Sequence, residues 1–294
     1  MISFDFEYYK PASVKEAVDI FEVLSSQSKK PIFYNGGTEI ITSARRNLLF
    51  TKAVIDIKDI SECIVHEFKN SELYIGAAVT ISQIEEKSLF PLLRDGSNSI
   101  ADQTVRNKIT LGGNICGKIT YREAVLSLLL CDSEMVIAGK NGLTKHPISE
   151  VFDKTLKLAN GEFLAQIIIN KDYAKLPYVS IRKTKEAKSA YPLVRVLALK
   201  KENEIRAAIT GVCGFPFRTI ELESELNNKS ISPEVRVERA IKKLPAPAVN
   251  DTLGSDDYRL FVLKNSLMDV LTILEGDSHD NISRSGSARV KHKR

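Results

Sequence analysis

Two paired-glycine stretches constrain this chain more than anything else in its 294 residues. Gly36-Gly37-Thr38 and Gly112-Gly113-Asn114 each follow an apolar stretch that reads as strand, and each sets two residues without Cβ beside a small polar side chain. Backbone that lacks Cβ can approach an anion closely, and successive N–H groups in a tight turn form a concavity that suits a phosphate. Thr38 and Asn114 can add hydroxyl or amide hydrogen bonds. One Gly-Gly turn is ordinarily structural, whereas two at matching positions point to a ligand that carries phosphate. There is no G-x-G-x-x-G after the first strand and no G-x-x-x-x-G-K-[ST] anywhere. The two commonest nucleotide-binding loops are therefore excluded, and a different fold must hold the ligand.

The pattern around the loops alternates helix and strand. Ser13-Val14-Lys15-Glu16 has capping-box spacing and opens a helix whose apolar residues, Val14, Ala17, Val18, Phe21 and Leu24, fall on one face. Strands are predicted over 31–34, 53–57, 73–77, 134–138 and 162–170. Helical stretches are predicted over 41–46, over 81–100 with a break at Asp95-Gly96-Ser97, and over 121–131. Past Tyr173 the composition resets. Strand-like runs over 176–181, 193–199 and 204–213 precede helices over 218–226, 233–243 and 258–274. The fold class is α+β. A charged loop at 171–175 separates a first domain, 1–172, with subdomains of about 1–55 and 56–172, from a second, 173–275.

Charge and composition remove several function classes. The net charge is +5, and +3 of it belongs to a Ser-rich, basic segment, 276–294, that has little to bury and reads as a disordered tail. The body has no field to steer a polyanion, so no nucleic-acid partner is expected. No run approaches the ~18 apolar residues needed to span a bilayer, and the start lacks a basic stretch followed by an apolar one. No membrane insertion is expected, and a cytoplasmic setting is. The four cysteines, Cys63, Cys116, Cys131 and Cys213, show no C-x-x-C pair and read as reduced thiols without metal. His66 and His146 lie far apart and read as surface or loop residues.

Taken in order, the motifs resemble a known family. Tyr34-Asn35-Gly36-Gly37-Thr38-Glu39-Ile40 and Thr110-Leu111-Gly112-Gly113-Asn114-Ile115 look like the two FAD-pyrophosphate loops of the flavoprotein (medium) subunit of the xanthine dehydrogenase and carbon monoxide dehydrogenase family of molybdenum hydroxylases. The resemblance extends through Phe6 to Ala17, Arg106-Asn107, Leu128 to Asp132, Gly161-Glu162 and Pro216 with Arg218, to about residue 275.

The resemblance implies an FAD-binding domain of vanillyl-alcohol-oxidase (PCMH) type followed by a C-terminal domain of carbon monoxide dehydrogenase flavoprotein type. FAD would lie on this chain, held by Tyr34, Asn35, Gly36, Gly37, Thr38, Glu39, Ile40, Thr110, Gly112, Gly113, Asn114 and Ile115. Glu123 would accept from flavin hydroxyls. The [2Fe–2S] clusters and molybdopterin would sit on a small and a large partner subunit, with electrons passing through FAD to NAD or another acceptor, most simply in a xanthine dehydrogenase of purine catabolism. No catalytic acid or base is required of this chain, because the flavin performs the redox step.

Three features depart from the family pattern. Cys116 to Arg122 replace a small-residue and Ser-Pro stretch, Ser180 stands where a Lys is usual with Arg182 and Lys183 nearby, and Cys116 stands where Ala is common, reading as a small buried residue. Tyr121 reads as packing or as a stacking partner for a ring. Two other functions stay open at this level: a stand-alone flavin oxidoreductase of the same fold, and a non-catalytic nucleotide-binding assembly protein.

Overall fold

The computed structural model describes residues 2–187 and 189–276. By internal contacts the chain divides into two compact units. The first comprises the chain up to Phe90, Ala101–Lys118 and Cys131–Tyr173; the second comprises Pro91–Ile100, Ile119–Leu130 and the chain from Ala174 onward.

In the first unit, Ser13 opens the helix Val14–Ser26, its side chain accepting from the Glu16 N–H at 3.2 Å while the Glu16 carboxylate reaches back to the Ala12 N–H at 2.8 Å. This satisfies two amides that the helix itself cannot. The predicted stripe of Val14, Ala17, Val18, Phe21 and Leu24 is the buried face. It covers a parallel three-stranded sheet in which Ala53–Asp56 lies between Glu7–Tyr9 and Ile32–Tyr34. Phe33 stacks on Phe21 with centroids 5.0 Å apart and meets Phe163 at 4.6 Å. Phe163 opens the central strand, Phe163–Asn170, of a five-stranded antiparallel sheet, in the order His66–Lys69, Glu72–Gly76, Phe163–Asn170, Glu134–Gly139 and Gly142–Pro147. One core joins the helix to both sheets, with Ala17, Ala53, Ile55 and Ile60 wholly enclosed. Each large apolar side chain so buried contributes about 1.5–3 kcal/mol.

The second unit is built on the antiparallel strands Tyr178–Thr184, Pro192–Lys201 and Glu204–Thr210. Helices Ile220–Leu226, Pro233–Ile241 and Asp256–Gly276 pack on it through Leu222, Leu226, Val237, Leu263, Leu267 and Val270. Buried arginines fasten this unit to backbone carbonyls. Arg259, with no exposed surface, donates to the Leu193 and Gly211 carbonyls and pairs with Asp251 at 2.6 Å. Arg218 donates to the Leu129 carbonyl at 2.9 Å and Arg206 to Leu130 at 3.2 Å, so two cations close the C-terminal end of the helix Ala124–Leu130.

Several predicted elements differ from those observed. The helical stretch over 81–100 breaks at 88–90, not at 95–97. Ser88 takes a left-handed conformation and ends Ile81–Lys87, and Pro91 begins Pro91–Ser97. Gly96 lies inside that second helix because a Cβ there would sit 2.6 Å from Ser127 Oγ. The segment before the second glycine pair is a helical turn, Gln103–Arg106, capped by Asp102, and no strand. His66 is 7% exposed, because it opens a strand paired with Ile75. The expected tail lies outside the described residues apart from Gly276, the last residue of its helix. Among the described residues no helix is long and apolar enough to cross a membrane.

Candidate functional site

The parallel strand Ile32–Tyr34 runs into Asn35-Gly36-Gly37 and then into the helix Thr38–Arg45, which we call the first-loop helix. Gly37 is its N-cap at φ +71°, a left-handed conformation that glycine adopts at no steric cost. A Cβ at Gly37 would also lie 2.3 Å from the Tyr34 hydroxyl oxygen and 2.5 Å from the Tyr34 ring. A glycine cap has no side chain to satisfy the first amides, and no side chain caps this helix. The N–H groups of its first turn therefore stand at the positive end of the helix dipole, an arrangement that attracts phosphate.

The second pair behaves differently. Gly112-Gly113 lie within a short helix, Leu111–Cys116, whose N-cap is Thr110. Its first amides are already bonded: Leu111 N–H to the Val79 carbonyl at 2.8 Å, Gly112 N–H to Ala77 at 2.9 Å, Gly113 N–H to Thr110 Oγ1 at 3.1 Å and Asn114 N–H to the Thr110 carbonyl at 2.9 Å. These glycines permit close packing. A Cβ on Gly112 would lie 2.5 Å from the Ala77 Cβ, and one on Gly36 would lie 2.0 Å from the Lys108 carbonyl oxygen. The second loop thus forms a wall against which the first is pressed.

Polar contacts fix the first loop further. Asn35 Nδ2 donates to the Ala77 carbonyl at 2.9 Å, while Asn35 Oδ1 is buried without a partner. Lys58 Nζ lies over the Tyr34 ring at 4.5 Å, donates to the Asn35 carbonyl at 3.3 Å and pairs with buried Asp56 at 2.5 Å. Burial pushes the Asp56 carboxyl up, but the Lys58 and Tyr8 hydrogen bonds outweigh it and hold the group below the usual range. The same hydrogen bond pushes the Tyr8 phenol up to about 12. Glu39 turns away from its own helix start, and its two oxygens accept from the Lys118 N–H at 2.9 and 3.1 Å.

The two glycine stretches are thereby brought together in one unit, and residues 4–171 match the family model described as the FAD binding domain in molybdopterin dehydrogenase. The chain belongs to this family. Its relatives include the caffeine dehydrogenase subunit beta of Pseudomonas sp. strain CBB1, 30% identical over 56% of this chain and 57% of that subunit, and the carbon monoxide dehydrogenase medium chain of Hydrogenophaga pseudoflava, 28% identical over 88% and 93%. The nicotinate dehydrogenase FAD-subunit of Eubacterium barkeri, 23% identical, is likewise matched over 59% of its length, so the chain spans little more than half of two of these relatives. A solved carbon monoxide dehydrogenase from H. pseudoflava superimposes with a TM-score of 0.83 at 23% identity, covering 94% of this chain and 99% of that one, which shows a shared α+β fold.

The residues fit FAD. The uncapped first-loop helix offers amides to a pyrophosphate, Asn35 Oδ1 is an acceptor in want of a donor such as a ribose or ribityl hydroxyl, and Gly37 supplies the left-handed turn that opens the helix. Tyr34, Gly36, Gly37, Thr38 and Ile40 belong to this strand-to-helix turn. Thr110 is spent on capping, and Ile115 is wholly buried and supports from behind.

The remaining sequence-predicted positions have surroundings of their own. Glu123 belongs to the second unit, 3% exposed, held by Arg182 at 2.8 and 3.1 Å with Arg195 Nε at 3.6 Å. Burial lowers Arg195 to about 10. Ser180 Oγ donates to the Asp95 carbonyl at 3.2 Å, and Tyr121 stacks on Tyr191 with centroids 4.6 Å apart. Cys116 is exposed and not buried, because Leu111 and Ile115 take the inward face of its short helix. Lys58, Ala77, Lys108 and Lys118 escaped sequence reasoning. Three of them contribute backbone groups, which leave no mark on residue identity.

Proposed function

We propose that this chain is the FAD-carrying electron-transfer subunit of a three-subunit molybdenum hydroxylase, set between [2Fe–2S] clusters on a small subunit and NAD or another acceptor, with molybdopterin on a large subunit. The observation that carries this reading is the uncapped first-loop helix facing a second glycine loop whose own amides are spent. Bound FAD supplies the redox chemistry of such a subunit. This chain's residues bind and orient: the Thr38–Ile40 backbone receives the pyrophosphate, Asn35 receives a hydroxyl, and Lys58 holds the loop by the Asn35 carbonyl. Family relatives are named as FAD subunits and medium chains, which supports the partner assignment.

Within that reading, the holoenzyme we favour is of xanthine dehydrogenase type. It is supported by relatives named for purines, the caffeine dehydrogenase subunit and a xanthine dehydrogenase FAD-binding subunit of Escherichia coli at 26% identity. Purification of the native assembly with metal analysis and a substrate panel tests both levels. Flavin, iron and molybdenum co-purifying with purine-dependent reduction of the flavin is the expected result. Flavin without either metal would favour a stand-alone flavoenzyme, and reduction by another substrate alone would replace the purine assignment.

A further inference from the structure

We infer that Glu39 acts as a positioning residue, turning its carboxylate away from the cofactor to hold the end of the second loop and leave the first-loop helix open to phosphate. The inference rests on the FAD reading above. Glu39 stands in the first turn of an eight-residue helix, where a carboxylate ordinarily folds back onto the free amides and complements the dipole. Such a fold-back would occupy the amides that a pyrophosphate needs and set a negative charge against it. Instead, both Glu39 oxygens accept from the Lys118 N–H, 79 residues away, at 2.9 and 3.1 Å.

Gly117 makes the arrangement possible. A Cβ there would lie 2.8 Å from Glu39 Oε2 and 3.2 Å from the Gly113 carbonyl, so glycine lets the carboxylate take this place without being pushed aside. Cys116-Gly117-Lys118 is also where the sequence departs from the family pattern. Glu39 therefore links the start of one loop helix to the exit of the other, and the substituted segment keeps a fixed place through a backbone amide that any residue but proline at 118 supplies. A charge-assisted hydrogen bond to backbone of this kind is among the stronger ones available.

The test is FAD titration of the full chain, followed by flavin fluorescence, together with amide hydrogen exchange at Lys118 in the cofactor-free protein. Glu39→Ala is expected to weaken FAD binding roughly tenfold and to speed Lys118 exchange, as suits the loss of one hydrogen bond to a charged group. Glu39→Gln keeps an acceptor and is expected to stay within about threefold of wild type by the same reasoning. Gly117→Ala, which displaces the carboxylate without removing it, is expected to weaken FAD binding in the same direction as Glu39→Ala and by less. Wild-type affinity in Glu39→Ala would overturn the inference. Equal losses in Ala and Gln would also overturn it, since the charge and not the hydrogen bond would then matter. Failure of the wild-type chain itself to bind FAD would instead overturn the cofactor reading, and the inference with it.

Discussion

Asn35 and Gly112, one from each glycine loop, donate to the same acceptor: Asn35 Nδ2 and the Gly112 N–H both lie 2.9 Å from the Ala77 carbonyl oxygen. One carbonyl, just past the end of the strand Glu72–Gly76, thus holds both loops to the five-stranded sheet. Binding geometry in the loops is therefore tied to the rigid part of the first unit.

That tie makes the glycines sensitive. Gly36→Ala would drive a Cβ to 2.0 Å from the Lys108 carbonyl oxygen, a backbone atom that has little freedom to retreat. Overpacking of this kind costs about 1–3 kcal/mol, and the upper end is expected here. Urea denaturation of the cofactor-free chain reads the loss, and FAD affinity should fall with it.

Glu123 separates a structural from a cofactor role. Its carboxylate sits among Arg182 and Arg195, whose side chains are 9% and 3% exposed. Removing one partner of a buried ion pair leaves uncompensated charge and costs about 3–5 kcal/mol. Glu123→Ala is expected to destabilise the chain by that amount in chemical denaturation. A variant of undiminished stability that has lost FAD affinity would assign Glu123 to the flavin instead.

His66 makes stability depend on pH. Burial, with Lys87 nearby, lowers its imidazole from 6.5 to about 4, and Nδ1 is buried without a partner. Between these values the unfolded chain binds a proton that the folded chain refuses, so stability rises with pH there. The contribution is complete above pH 6.5 and is lost as pH falls through about 4. The slope from this group reaches at most about 1.4 kcal/mol per pH unit. His66→Gln should flatten the profile of melting temperature against pH between 6.5 and 4, and an unchanged profile would place the titration elsewhere.

Legibility followed the physics of each element. The helix from Val14 was plain because cap and apolar stripe agree, and strands such as Phe163–Asn170 and Pro192–Lys201 were found because their side chains are almost wholly buried, whereas the exposed edge strands Glu7–Tyr9, His66–Lys69 and Gly142–Pro147 were not predicted. The Gly96 position misled because a glycine required by close packing against Ser127 looks the same as a helix breaker. The packing of the second loop was hidden, because glycine identity does not show that these residues accommodate Ala77 and Thr110 Oγ1 or that four amides at the start of the helix are already used. The Glu39 contact was invisible because its partner is a backbone amide far along the chain.

The central claim is that the first-loop helix receives the pyrophosphate of FAD. Calorimetric titration of the purified full chain with FAD, FMN and ADP tests it most directly. The account predicts one FAD per chain, displacement of FAD by ADP, which carries the pyrophosphate without the flavin, and far weaker binding of FMN, which carries a single phosphate. FMN binding as tightly as FAD, or FAD binding that ADP leaves untouched, would contradict it.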